Sequence, residues 1–545
     1  MPATRHGIRR RPGILGPVLF LAGSLALGCG AARAPERPRL VVLLVVDQFR
    51  ADLLDHYGPA FQHGFRRLLD EGYRFTNAEH DHAITSSSQG HATLGTGRIP
   101  AHHGIVDNSW LQAENGRLRM AESTADSSVE VIGYPVLTGI SPRDRLTDGL
   151  GDWILRADPA ARAIAISQGS GSGMGLAPKD PRGEAYWSSP TARRFVTSTY
   201  YRDQYPGWVL QFDQEIAARI AGDTVWESSV PPAAVPLARR DDAPYEGDHV
   251  HTTFPHRFRA EVADPADPGS LFAWIRGRPR HDGLILALVR EAIRAERLGR
   301  RGVTDYLGIN LSSLDDVGHD YGPWSLEQLD ALLRLDREIG EFLAFLDRTV
   351  GPDQYVLAVT GDHGVATAPE FAAEIGVPGR RVTQPEMDRL FVAVRALAPP
   401  PVRYDSALAR RVAAIAESFD FVADAMTRDE LEDTTATDPF IARFRNSYRP
   451  DRIPWFPLRA SDGTTLAQYG VMARLIEGAI PDFALAVHGS PYDYDRRVPL
   501  LFFGAGITAG SSSERVRSVD VAPTLARLAG IAFPGDVDGR ALLGP

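Results

Sequence analysis

The sequence predicts an α/β fold, a doubly wound and mostly parallel sheet held between layers of helices. Three observations predict it. Short apolar, strand-like runs recur along the chain, as at Leu40–Val46, Ala163–Ser167, Tyr306–Leu311 and Tyr355–Thr360. Stretches with helical spacing of apolar residues stand between them, and strands separated by helices pair in parallel and are covered on both faces. Finally, carboxylates and imidazoles follow directly on these runs, so one edge of the sheet gathers polar side chains.

Taken in chain order, residues 1–34 precede the fold and have the layout of an export signal. Arg5, Arg9, Arg10 and Arg11 lead into the apolar stretch Ile14–Leu27, which is too short for a comfortable membrane span. Leu25-Ala-Leu-Gly-Cys29 resembles a bacterial lipobox, so Cys29, the only cysteine, is expected to carry a lipid anchor. Cleavage near Ala31–Ala34 is the alternative. Either way a bacterial protein of the periplasm or outer membrane is expected, folding without disulfides.

The catalytic domain is expected over 38–545. Its first strand, Leu40–Val46, is followed by a helix from Phe61 to Leu69 with Phe61, Phe65, Leu68 and Leu69 on one face. Ala163–Ser167 is a strand, Leu284–Leu298 a helix and Tyr306–Leu311 a strand. Ser325–Leu346 is a long amphipathic helix with Ser325 as N-cap and Glu327 in the first turn, where a carboxylate complements the helix dipole. The Tyr355 strand follows; Phe483–Val487 and Val498–Phe503 read as strands, and Val519–Leu528 as the closing helix. Two segments break the rhythm, about 188–280 and 370–480, and are expected to form a cap over the strand ends.

Composition narrows the function. The 545 residues can bury a large core; 43% hydrophobic and 23% charged residues are those of a globular protein. A net charge of −10, with no dense Lys/Arg run in the body of the chain, gives no nucleic-acid-binding surface.

The chemistry lies in the polar residues after the runs. Asp47 follows the first strand. Asp315 and His319 stand four apart, a spacing at which carboxylate and imidazole can close on one cation, with Asp316 as the alternative ligand. Asp362 and His363 lie between two glycines, and His488 follows Phe483–Val487. Such a set suits two borderline-hard divalent cations. For a nucleophile, Thr85-Ser-Ser-Ser88 offers four hydroxyls ahead of Ala92-Thr-Leu-Gly-Thr-Gly97, which reads as a helix start. A hydroxyl bound to a divalent cation loses its proton more easily, and a helix N-terminus presents N–H groups to phosphate oxygens.

The motifs Val46-Asp-Gln-Phe-Arg50, Gly90-His-Ala-Thr-Leu-Gly-Thr-Gly97, His103-Gly-Ile105, Asn108-Ser-Trp110, Ser312-Ser-Leu-Asp-Asp-Val-Gly-His319, Gly361-Asp-His-Gly364 and His488-Gly-Ser-Pro-Tyr-Asp-Tyr-Asp495 resemble, in order, those of the alkaline phosphatase superfamily. Within it they are similar to PafA-like alkaline phosphatases and the nucleotide pyrophosphatase/phosphodiesterases. The resemblance implies an alkaline phosphatase-like fold and two zinc ions, with Mn or Fe possible on the same ligands. One ion falls to Asp315, His319 and His488, the other to Asp47, Asp362, His363 and the nucleophile. Counting back four from His91 places that nucleophile at Ser87, where these branches usually carry Thr; a slipped loop would make it Ser86 or Ser88. Asn108 matches the asparagine whose amide donates to a phosphoryl oxygen, with the Ser88 N–H as a second donor. A small-molecule phosphate ester would then react in line through a covalent phosphoryl-serine.

The pattern breaks at one place. PafA-like monoesterases carry Ser-x-Lys-x-Arg after the strand that matches Ala163–Ser167, whereas this chain has Gly169 and Gly171 in place of the two cations. Losing charges that face a monoester dianion disfavours monoesters, so phosphodiester or pyrophosphate-linked substrates are expected unless Lys179 or Arg182 reaches in. The alternatives are a monoesterase and a surface lipoprotein that has lost activity. A sulfatase would need Cys or Ser with Pro and Arg in a segment that Ser86-Ser-Ser-Gln89 does not match, and a phosphomutase would not be exported.

Overall fold

The computed structural model describes residue 13 and residues 37–544, apart from 115–116, 268, 402, 455–459 and 462–463. The expected leader and Cys29 lie outside the described residues. Among the described residues no helix is long and apolar enough to cross a membrane.

Nine strands make the central sheet: β1 (Leu40–Val46), β2 (Tyr73–Glu79), β3 (Ala163–Ser167), β4 (Glu184–Ser189), β5 (Arg194–Val196), β6 (Asp305–Leu311), β7 (Tyr355–Gly361), β8 (Arg497–Gly504) and β9 (Gly510–Arg517). Their spatial order is β9-β2-β8-β7-β1-β6-β3-β4-β5. The centre is parallel, β7 with β1, β1 with β6, β6 with β3 and β3 with β4. Antiparallel β8 and β5 make the sheet mixed towards its edges.

Every β1 residue is fully buried. Leu40, Val42, Leu44 and Val46 pack into one core, and Val41, Leu43 and Val45 into the core on the opposite face. That two-sided burial is why the strand is apolar throughout rather than alternating. The first core is closed by α4 (Arg280–Ala295) and α6 (Leu326–Thr349), the second by α2 (Ser170–Leu176) and the helix Val521–Leu528. Ser325 caps α6 by accepting from the Gln328 N–H at 3.0 Å.

Of the two segments that break the strand–helix rhythm, 188–280 supplies β5 and adds Val209, Phe212 and Ile216 to the first core. Residues 382–479 enclose a core of their own around Leu390, Phe391 and Val412.

Two expectations are corrected. Phe483–Val487 is not a strand. Its carbonyls are used by neighbours instead, with Ala484 and Leu485 accepting from Arg381, Ala486 from His319 and Val487 from the Ala366 N–H. Phe483 itself is 58% exposed. The helix expected from Ala92 starts five residues earlier, as α1 (Ser87–Thr96) with Ser86 at the N-cap.

Candidate metal centre and catalytic cavity

Strand register sets the site. Val46 pairs with Leu311 on one side and Gly361 on the other, so β1, β6 and β7 end at one level. The next residues, Asp47, Ser312 and Asp362, therefore emerge side by side. Asp315 opens α5 (Ser313–Tyr321), and His319 stands one turn later on the same face. His488 comes from the loop after residue 487 rather than from a strand end.

The side chains converge into two adjoining groups. Donor atoms of Asp47, Asp362 and His363 lie within 4.8 Å of one another, as do those of Asp315, His363 and His488. His363 Nε2 is 3.4 Å from both Asp47 Oδ1 and Asp362 Oδ2. Asp315 Oδ1 is 3.3 Å from His319 Nε2 and 3.8 Å from His488 Nε2. His363 thus stands between the groups and stacks on His488 with ring centroids 3.6 Å apart, while His319 reaches the set through Asp315.

The donor set fits divalent cations on two counts. Nδ1 of His319, His363 and His488 meets the carbonyls of Ala486, Gly364 and Thr85 at 2.8, 3.0 and 2.6 Å. A carbonyl only accepts, so Nδ1 carries a hydrogen and Nε2 is the nitrogen turned towards the carboxylates, where a metal would take the place of any proton on it. Each carboxylate of the first group likewise has one oxygen held by hydrogen bonds and one that accepts none. Asp47 Oδ2 accepts from Ser312 Oγ at 2.8 Å, and Asp362 Oδ1 from the N–H groups of Gln48 and His363. Asp47 Oδ1 and Asp362 Oδ2 are buried and accept no hydrogen bond, with imidazole nitrogens as their near neighbours: His91 Nδ1 stands 3.0 Å from Asp362 Oδ2.

Electrostatics agree. Burial, then Asp362 and Asp315, push Asp47 well above the usual carboxylate range. Burial, with Asp315 adding to it, takes Asp362 up to about 8. Burial alone would raise Asp315 too, but the attraction of His319 and the other imidazoles holds it well below. Burial works against a charged His319, yet Asp315 overrides it and raises the imidazole to about 10. Burial and then His319 lower His488 to about 4; burial and then His488 push His363 well below its normal value. A buried cluster this unsettled by its own charges is one that a cation relieves.

Among the serines, Ser87 differs from its neighbours. Its Oγ stands 3.2 Å from His363 Nε2 at the open cavity, whereas Ser86 is buried away from it and Ser88, which also borders the cavity, is nearly fully buried. Ser88 Oγ accepts from Ser123 Oγ at 2.9 Å. The Ser88 N–H is not free for substrate, contrary to expectation: it donates to Asn108 Oδ1 at 2.9 Å. That bond fixes the exposed Asn108 amide, with its NH₂ on the other side.

Several supporting residues are not singled out by the sequence reading. Gln48, at φ +60°, joins the two groups: its N–H donates to Asp362 and its side chain to Asp315 Oδ1 at 2.5 Å. Gly318 makes room for it, since a Cβ there would sit 1.8 Å from Gln48 Oε1. Asn310 donates to His91 Nε2 at 2.9 Å, and its position as an amide inside an apolar strand is the signal that could have revealed it. Gly361 and Gly364 serve close packing. Neither has positive φ, and a Cβ at Gly364 would lie 2.1 Å from Tyr494 O.

Ser87, Asn108, Asp47 and Asp315 open into a cavity of about 670 Å³ that also runs past Gly169 and Gly171. A Cβ at Gly169 would meet nothing within 4 Å. Neither Lys179 nor Arg182 reaches in; Lys179 Nζ donates to Arg145 O at 2.6 Å and Arg182 holds Asp180. Of the aromatics, Trp187 lines the cavity, while Tyr201, Trp208 and Trp226 bond Pro178 O, Glu296 and Asp330.

The family model for type I phosphodiesterase / nucleotide pyrophosphatase matches residues 41–454. Alkaline phosphatase PafA of Elizabethkingia meningoseptica is 29% identical over 97% of this chain and 98% of its own length. Alkaline phosphatase PhoV of Synechococcus elongatus is 28% identical over 93% and 92%. The crystal structure of wild-type PafA superposes with a TM-score of 0.80 at 26% identity, covering 94% of this chain and 99% of that one.

Proposed function

Since the chain belongs to the type I phosphodiesterase / nucleotide pyrophosphatase family and is a hydrolase of phosphoric esters, we propose that it acts through Ser87 beside two metal ions. One observation carries this reading. Asp47, Asp315, His319, Asp362, His363 and His488 converge from separate segments, with Ser87 Oγ 3.2 Å from the imidazole common to both groups.

Bound cations would supply positive charge for the reacting oxygens and acidify the serine hydroxyl. Zinc suits the mixed carboxylate and imidazole donors, and metal analysis separates it from Mn or Fe. The chain's own residues do the rest. Ser87 sits at the first position of α1, where the serine oxygen forms a bond to phosphorus as the ester P–O bond breaks. Water then cleaves the phosphoryl-serine and restores the hydroxyl. The Asn108 NH₂ group, braced through its own carbonyl by the Ser88 N–H, donates to a phosphoryl oxygen.

The preferred substrates are phosphodiesters or pyrophosphate-linked esters. Residues 167–173 offer no cation at the nucleophile, and Lys179 and Arg182 are engaged elsewhere. The relatives' names favour a second reading, a monoesterase. Rates on p-nitrophenyl phosphate and methyl p-nitrophenyl phosphate decide between them; faster turnover of the monoester refutes the diester reading. The site itself is tested by Ser87→Ala. Loss of about three orders of magnitude in turnover with metal content unchanged is expected, and undiminished activity contradicts it. Export, with an anchor at Cys29, belongs to the same proposal and is checked by fractionation and by Cys29→Ala.

A further inference from the structure

The cavity wall is acidic and hydroxyl-rich: Asp47, Glu122, Asp315 and Asp316 line it with a series of serines and threonines. Among the described residues of that lining Arg276 is the sole Lys or Arg. It is the last residue of α3 (Ser270–Arg276), from the segment at 188–280, far in sequence from the strand ends.

Its guanidinium acts on Asp316 only at a distance, holding that carboxyl lower than burial alone would, and no close contact ties it down. Among the described residues it makes no hydrogen bond or ion pair, and its Nε is buried without a partner. The carboxylate it would most naturally neutralise is Asp316, beside which the backbone of Gly277 passes, but Asp316 Oδ2 already accepts from Gln168 Nε2 at 2.6 Å. Two residues on, Arg278 shows the structural use of an arginine here: it pairs with Glu261 at 3.0 Å and lies over the rings of Trp226 and Trp274. A guanidinium that makes no hydrogen bond of its own at the wall of this cavity keeps its donors free, and its planar fork matches phosphate oxygens.

Resting on the proposed site, we infer that Arg276 is an anion subsite, which binds the phosphate oxygen bearing the substrate's second negative charge. That charge has two sources, the reacting phosphoryl group of a monoester or the neighbouring phosphate of a pyrophosphate-linked ester. A simple diester has neither. Arg276 therefore occupies the functional place left open by Gly169 and Gly171, from another part of the chain.

The test compares the zinc-loaded wild type, Arg276→Ala and Arg276→Lys on methyl p-nitrophenyl phosphate, p-nitrophenyl phosphate and a nucleoside diphosphate sugar. Arg276→Ala should lower kcat/KM at least tenfold on one or both doubly charged substrates and less than threefold on the methyl diester, with partial recovery in Arg276→Lys. A loss on p-nitrophenyl phosphate places the charge on the reacting phosphoryl group; a loss confined to the diphosphate places it on the neighbour. Equal effects on all three, or none, overturn the inference. Calorimetric titration of zinc-loaded Ser87→Ala with inorganic pyrophosphate gives a readout without turnover. Adding Arg276→Ala should weaken binding at least tenfold, and unchanged binding refutes the subsite. Should Ser87→Ala keep full activity, the nucleophile reading fails while the titration still judges Arg276.

Discussion

Asn108 shows how much one side chain can do at the rim of this site. Its carbonyl is spent on the Ser88 N–H, so only its NH₂ can reach substrate, and the bond fixes where that group points. A preorganised donor aimed at developing charge is worth about 10²–10³ in rate. Asn108→Ala should therefore lower kcat by about that factor while zinc content stays at the wild-type level, and a metal-depleted variant would mean that Asn108 supports the fold instead. Asp241 makes a second residue-scale case, outside the proposed ligand set. Burial and then Glu327 raise its carboxyl to about 7, so the folded chain holds a proton there that the unfolded chain has given up. A raised carboxyl adds stability that is fully present below its unfolded value near 3.8 and is lost as pH climbs through about 7. Thermal midpoints of the zinc-loaded protein should fall between pH 5 and 8, and Asp241→Asn should flatten that slope; an unchanged slope would show that other groups set it.

At the scale of elements, the site depends on α1 pressing against the end of β7. A Cβ on Gly90 would stand 2.2 Å from the Asp362 carbonyl, backbone that cannot step aside without moving a proposed metal ligand. Gly90→Ala is therefore expected to lower bound zinc and activity together, although alanine is the better helix former. Zinc analysis with circular dichroism checks it; a variant with full zinc and reduced helix would locate the damage elsewhere. The same contact explains one limit of the sequence reading. Ser87 to Gly90 lack the apolar spacing that marks a helix, because Ser87 and Gly90 meet His363 and Asp362 rather than the core, so the pattern places the start of α1 at Ala92. Phe483–Val487 misled in the opposite sense. Its alternation is apolar enough for a strand, but its carbonyls serve Arg381 and His319, a long-range arrangement that no local pattern encodes.

Across the whole molecule, the central strands were legible because burial on both faces leaves continuous apolar runs, and Leu40–Val46 and Ala163–Ser167 match to the residue. The ligand-type residues were legible because register makes β1, β6 and β7 stop at one level. Gln48 and Arg276 were not, since what recruits them is a neighbour distant in the chain. That same convergence makes metal and fold interdependent. Three carboxylates and three imidazoles arrive from segments spread over residues 47 to 488, and Asp47 and Asp362 each keep a buried oxygen that accepts no hydrogen bond. Ligands that exist together only in the folded state tie metal affinity to stability, by about 4 kcal/mol when free metal stands a thousandfold above its Kd. Chelation should thus lower the thermal midpoint and abolish turnover, and added zinc should restore both in parallel. If chelation removes activity but leaves the midpoint in place, the strand ends hold their geometry unaided, and the metals serve chemistry alone.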